Sequence, residues 1–176
     1  RRRYLRFANS DAGLYWFEAV AISHESRSNA RQLWINRENV GEYKKLIDEL
    51  HEITGGAPII CQLTHSGRYS KPAGVPAPMI AYNRPIVEKD HPIPAERIVS
   101  DGYLASLPAR YAEAAALCVK AGFDGVDVKS CHGYLFQELL SAFSREGRYG
   151  GSFENRSRLY LDCVKAVKAV IPENIL

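Results

Sequence analysis

Residues 123–134 read Phe123-Asp124-Gly125-Val126-Asp127-Val128-Lys129-Ser130-Cys131-His132-Gly133-Tyr134, and residues 58–65 read Pro58-Ile59-Ile60-Cys61-Gln62-Leu63-Thr64-His65. Both are short β-branched runs that end abruptly in reactive polar side chains. We read 58–63 and 123–128 as strands. His65 follows the first; Lys129 and His132 follow the second. Working outward, residues 14–22 (LYWFEAVAI) form a third apolar, aromatic run that suits a strand buried on both faces. Helical spacing fills the intervals. Asn36 can cap a helix over 37–54, with Val40, Tyr43, Ile47, Leu50 and Ile53 on one face and Gly55-Gly56 ending it. A second helix is predicted over 104–121, with Leu107, Tyr111, Ala114, Ala115 and Cys118 inward and Pro108 in an early turn. A third is predicted over 154–170, with Leu159, Cys163, Val167 and Val170 inward. Asn174-Ile175-Leu176 reads as the start of another strand.

Repeated strand–helix units argue for an α/β fold with a parallel sheet. Pattern alone leaves a doubly wound sheet and a (β/α) barrel open. No G-x-G-x-x-G or G-x-x-x-x-G-K-[ST] follows a strand, which removes support from dinucleotide and phosphate-loop versions. Polar residues at strand C-termini favour the barrel, whose chemistry sits there. Between strand 58–63 and the next helix lies an irregular stretch, 66–103, with six prolines; loops of that length are usually functional or disordered.

Composition sets the outer bounds. The chain has 176 residues, 46% hydrophobic and 24% charged, which fits one globular domain. Its net charge of +3 comes from Arg1, Arg2, Arg3 and Arg6; without them 19 cations face 20 Asp and Glu. One short basic cluster is a weak footprint for nucleic acid, and none is expected as a partner. Glu18 interrupts the best apolar run, so no membrane span is expected, and no signal peptide opens the chain. Four cysteines without a C-x-x-C pair argue against a disulfide framework or zinc site and suit a reducing, cytoplasmic compartment. The chain opens on Arg1 rather than Met, so a start upstream is expected. Oligomeric state is left open.

Four segments together carry a resemblance. They are Trp16-Phe17-Glu18-Ala19, then Gln62-Leu63-Thr64-His65-Ser66-Gly67-Arg68, then His132-Gly133-Tyr134-Leu135, then Tyr149-Gly150-Gly151-Ser152-Phe153-Glu154-Asn155-Arg156. In this order they resemble the old yellow enzyme family of flavin-dependent NAD(P)H oxidoreductases, including its 2,4-dienoyl-CoA reductase branch. The resemblance implies a (β/α)8 TIM barrel with FMN at the C-terminal mouth. It implies that this chain is a fragment, a partial barrel running from about the first helix to the start of the fifth strand. A complete barrel takes ~250 residues. Residues 1–176 would then form an incomplete FMN-binding domain, with 66–103 as a long active-site loop. Alone, this fragment is expected to bind FMN weakly or not at all and to be inactive. An iron–sulfur cluster, if the larger branch applies, would lie beyond Leu176.

The implied activity is NAD(P)H-driven reduction of an activated C=C bond (enone, enoate or dienoyl thioester) in a small-molecule substrate, with hydride from flavin N5 and a proton from Tyr134. By the same resemblance Gln62 and Ala19 meet the flavin, and His132 holds the substrate's activating oxygen. Without the resemblance each has an ordinary reading: a loop-satisfied amide, core packing, a structural histidine, an aromatic under a loop. Lys129 departs from the family pattern, which carries His there. It could bind an anionic substrate oxygen, favour the anionic reduced flavin, or simply snorkel to solvent. His65 and Arg68 are expected to tie the long loop to the barrel rim. Glu154, Asn155 and Arg156 are expected to pin a turn and helix start. Two alternatives remain: a Schiff-base lyase or aldolase using Lys129, and a non-catalytic fragment.

Overall fold

The computed structural model describes residues 1–176. Four strands, Tyr15–Trp16 (β1), Val20–Ala21 (β2), Ile59–Thr64 (β3) and Gly125–Val128 (β4), alternate with five helices. These are Arg2–Ala8 (α1), Val40–Thr54 (α2), Asp101–Lys120 (α3), Leu135–Leu140 (α4) and Phe153–Lys168 (α5). All strand pairings are parallel, and β3 is central: Ile60 faces both Trp16 and Gly125, and Leu63 faces both Val20 and Val128. Ile59, Cys61 and Leu63 turn to the helices and join the core with Ile47, Leu107, Tyr111 and Cys118. Ile60, Gln62 and Thr64 take the opposite, inner face, because side chains alternate along a strand. The sheet is part of a barrel wall. No helix is long and apolar enough to cross a membrane.

The run 14–22 is two strands, not one. Four residues from Trp16 to Val20 span only three on β3, from Ile60 to Leu63. One residue is therefore extra, which makes a β-bulge. Glu18 leaves the sheet there and accepts a hydrogen bond from Tyr4 Oη at 2.8 Å. At the far edge, Leu176 N–H donates to Asp124 O and Val126 N–H donates to Leu176 O, both at 2.9 Å. That is parallel-ladder bonding, as expected for the beginning of another strand.

Several boundaries move for local reasons. Asn36 Oδ1 accepts from the N–H of Glu38 (2.9 Å) and Asn39 (3.0 Å), so 36–39 form a turn and α2 starts at Val40. Ser100 Oγ caps α3 by accepting from Tyr103 N–H at 3.1 Å. The helix therefore begins at Asp101, three residues before the expected start, and Pro108 lies inside it rather than in an early turn. Ile53 and Val170 are exposed, not inward; α5 stops at Lys168, before Val170. Helix α4 is too short for its periodicity to stand out, although it buries Leu135, Phe136 and Leu139.

Residues 66–100 are ordered, and buried arginines hold them. Arg68 Nε donates to Glu138 Oε1 (2.7 Å), Nη1 to Glu88 Oε1 (2.6 Å) and Nη2 to Tyr82 O (3.1 Å). Glu138 Oε2 also accepts from Ala81 N–H at 3.0 Å. Burial pushes the Glu138 carboxyl above its ordinary range, against the pull of Ala81 N–H and Arg68. Arg145 adds a second clamp, donating to Ala81 O, Val99 O and Asp101 Oδ1 at 2.5, 2.8 and 2.7 Å. Ile80 pairs with Ile98 in an isolated parallel bridge. His65 anchors the stretch to α3, its Nε2 lying 2.7 Å from Tyr103 Oη while Nδ1 accepts from Gly67 N–H at 3.0 Å. The rim role expected of His65 and Arg68 is what the side chains do. Ser152 Oγ caps α5 by accepting from Asn155 N–H, and Arg156 bonds Gly151 O and Leu140 O.

Removing Arg68 leaves two carboxylates buried without a counter-ion. Arg68→Met is expected to lower unfolding stability by about 3–5 kcal/mol, measured by urea denaturation. Burial pushes the His65 imidazole down to about 4, below its unfolded value of about 6.5. Between those values the unfolded chain takes up a proton that the folded chain refuses, so stability falls as pH drops from about 6.5 to about 4. In His65→Gln, unfolding free energy is expected to vary less steeply with pH across this window.

Candidate active site

Register assembles the site before any loop contributes. Gln62 on β3 lies directly across from Asp127 on β4. Its Nε2 donates to Asp127 Oδ2 at 2.6 Å, and Trp16 Nε1 donates to the same oxygen at 3.3 Å. A carboxylate only accepts, so the Gln62 amide is oriented with Nε2 toward Asp127 and Oε1 free. Thr64, two residues on along the same face, has a buried Oγ1 without a hydrogen-bond partner. Lys129, two residues after Asp127, shares that inner face. The end of these strands thus presents an amide oxygen, a hydroxyl and an ammonium in sequence.

The loop after β4 brings in the aromatic groups. Lys129 is buried, at 8% exposed, and its Nζ sits 4.7 Å from the centroid of the Tyr134 ring. Tyr134 stands immediately before α4 and is half-buried. Its ring lies 6.0 Å from Tyr69, on the long loop, and 6.4 Å from His132. Gly133, at φ +68, admits this packing: a Cβ there would sit 3.3 Å from Tyr69 Cε2. His132 is exposed and alone among the non-glycine residues has positive φ, at 63°. Its Nδ1 is 3.3 Å from Cys131 Sγ. Such backbone is unfavourable for a residue with a Cβ and is found mainly where function holds it.

The five expected residues are thus unevenly gathered. Lys129, His132 and Tyr134 cluster beyond β4, and Gln62 lies on the inner face that leads to them. Ala19 lies in the bulge of the neighbouring strand, and its carbonyl accepts from Gln32 Nε2 at 2.9 Å. A cleft of about 860 Å³ does not enclose this group. It runs along the open edge of β4, lined in part by Trp16, Ile60, Asp127, Val128 and Leu176. Two members of the site escaped the sequence reading. Asp127 carried a signal, a carboxylate inside an apolar strand two residues from Lys129. Tyr69 carried none, since only folding brings the long loop to Gly133.

The profile of the NADH:flavin oxidoreductase / NADH oxidase family matches residues 3–176. The chain is 33% identical over 170 residues to an NADPH dehydrogenase of Listeria monocytogenes, covering 95% of this chain and 48% of that protein. It is 31% identical over 178 residues to flavin oxidoreductase hxnT of Emericella nidulans, covering 92% and 44% respectively. A morphinone reductase variant solved with tetrahydroNAD superposes with a TM-score of 0.80 at 26% identity, over 99% of this chain and 52% of that one. The chain spans about half the length of the curated relatives it matches.

The strained backbone at His132 has a thermodynamic signature. His132→Gly removes the Cβ and is expected to raise stability by about 0.5–1 kcal/mol, read as an increased melting temperature.

Proposed function

The chain belongs to the NADH:flavin oxidoreductase / NADH oxidase family, and from that premise we propose that the protein uses bound FMN to pass electrons from NAD(P)H to an activated carbon–carbon double bond. The observation that carries this reading is the shared inner face of Gln62, Thr64 and Lys129 below Tyr134. The free Gln62 Oε1 and the unpartnered Thr64 Oγ1 fit the alternating N–H and C=O groups on the pyrimidine edge of a flavin. Asp127 fixes the amide so that its oxygen, not its nitrogen, leads. Ala19, small and at a bulge, leaves room for the backbone to approach the flavin ring.

Bound FMN supplies the hydride. The chain's own residues supply the rest. His132 and Lys129 hold the oxygen of the activating group, where negative charge grows as the double bond is reduced. Tyr134 holds a proton at Oη and delivers it to the carbon beside that group; a phenol stays protonated at neutral pH. The long loop forms one wall through Tyr69, which packs at Gly133 and Tyr134. The Schiff-base alternative leaves the family match and the Gln62–Asp127 pair without a role.

Purified full-length protein is expected to show visible flavin absorption that bleaches anaerobically under NAD(P)H and returns on addition of an activated alkene. Tyr134→Phe is expected to slow the return by about a hundredfold or more and to leave bleaching unchanged. Colourless protein that FMN cannot reconstitute would end this reading.

A further inference from the structure

We propose that Tyr69, at the start of the long loop, is a positioning residue that orients Tyr134 for proton delivery. The proposal rests on the reading above and adds to it a residue that acts through Tyr134. It starts from two contacts with consecutive residues. The Tyr69 ring lies 6.0 Å from the Tyr134 ring, tilted by 45°, within the range of a favourable aromatic pair. The same ring rests on Gly133, where a Cβ would sit 3.3 Å from Tyr69 Cε2 and 3.5 Å from its Oη. Tyr69 thus seats against the backbone just before the acid and against the acid's own ring.

Backbone contacts alone do not fix the phenol. Gly133 N–H donates to Gln137 Oε1 at 2.6 Å, and Tyr134 O accepts from Glu138 N–H at 2.9 Å. These hold the Tyr134 main chain at the head of α4, while the ring can still choose among side-chain rotamers. Its flanks make the choice. Lys129 Nζ stands 4.7 Å from the ring centroid and the His132 ring 6.4 Å away, but both belong to the same loop as Tyr134. Tyr69 comes from another segment, and its mount is firm. It ends the 3₁₀ turn Gly67–Tyr69, between Arg68 and Ser70, both buried. Arg68 is clamped by Glu138 and Glu88. Ser66 Oγ donates to Ser26 O at 2.6 Å and lies 3.0 Å from Ser70 Oγ. Along this turn Arg68 points to the carboxylates while Tyr69 turns to Gly133. The chemistry needs such a fixed flank. As the proton is delivered, the O–H bond of Tyr134 breaks and a C–H bond forms at the carbon beside the activating group. That carbon supplies the electron pair that hydride addition displaced, and solvent returns a proton to the phenolate. The reacting atoms must lie about 3–3.5 Å apart and aligned, and a displacement of about 1 Å costs about a hundredfold.

The test uses full-length protein whose flavin has been reduced by NAD(P)H, mixed anaerobically in a stopped-flow spectrometer with 2-cyclohexenone or with ferricyanide. The enone needs a proton at carbon; ferricyanide takes electrons alone. Tyr69→Leu is expected to slow reoxidation by the enone about tenfold to a hundredfold and to leave reoxidation by ferricyanide within about twofold. Tyr69→Phe, which keeps the ring, is expected to stay within about threefold of wild type with the enone. In a Tyr134→Phe background, Tyr69→Leu is expected to slow the enone reaction by no more than about a further twofold, because residues that act through one another are not additive. Urea unfolding reads the contact without substrate. A double-mutant cycle of Tyr69→Leu with Tyr134→Leu is expected to show a coupling of about twofold to tenfold in the unfolding equilibrium constant. Unchanged enone reoxidation in Tyr69→Leu, equal slowing with both oxidants, full slowing in the Tyr134→Phe background, or absence of coupling would each overturn the proposal. Failure of the flavin reading shows separately, as wild-type protein without flavin absorption or as Tyr134→Phe that the enone reoxidises as fast as wild type.

Discussion

The guanidinium of Arg68, buried between Glu138 and Glu88, is the constraint on which the site depends. Arg68 lies just past β3, Glu88 is in the long loop and Glu138 is on α4. One planar side chain therefore sets three separate segments against each other. Buried ion pairs of this kind add little net stability over well-packed apolar groups; their value is that few arrangements satisfy them. Here the satisfied arrangement places α4, and Tyr134 stands immediately before α4. Gly67, next to Arg68, allows the close approach: at φ +56, a Cβ on it would lie 2.9 Å from Leu135 N. The position of Tyr134 over Lys129 is thus decided by a charge network that Tyr134 itself does not touch.

Sheet register does the complementary work on the barrel's inner side. Gly125 is small because Ile60 crosses its face; a Cβ there would collide with Ile60 Cδ1. That fit locks the pairing two residues below Gln62 and Asp127, and a slip of β4 by one residue would turn Asp127 away from the interior and from Gln62. The bulge at 17–19 has the opposite task. It shifts β2 by one residue relative to β1, so that Ala21 rather than Val20 shares the face of Thr64. Bulges commonly re-aim side chains next to active sites, and this one puts the small residue Ala19 at the turn of the strand.

Cations are held in two ways within a short distance. Arg68 and Arg145 pair with carboxylates and backbone carbonyls and hold loops in place. Lys129 instead sets its ammonium over the face of Tyr134. His132, beyond it, carries unfavourable backbone. Both the Lys129–Tyr134 contact and the strained His132 backbone fall at the C-terminal end of β4. That is the end at which barrel enzymes carry their chemistry.

The amino-acid sequence alone determined the alternation of strands and helices, the inward stripes Val40-Tyr43-Ile47-Leu50 and Leu107-Tyr111-Ala114-Cys118, and the family. These follow from local periodicity and from contiguous motifs, both of which are properties of neighbours along the chain. It also picked out Lys129 and His132, because they follow one strand, and Tyr134 through the resemblance carried by His132-Gly133-Tyr134-Leu135. It did not reveal the break in 14–22, since a bulge exists only relative to a partner strand. Nor did it reveal α4, the order of 66–100, the Gln62–Asp127 pair or the arrival of Tyr69. Each of these depends on contacts across long separations: 70 residues from Arg68 to Glu138 and 65 from Gln62 to Asp127.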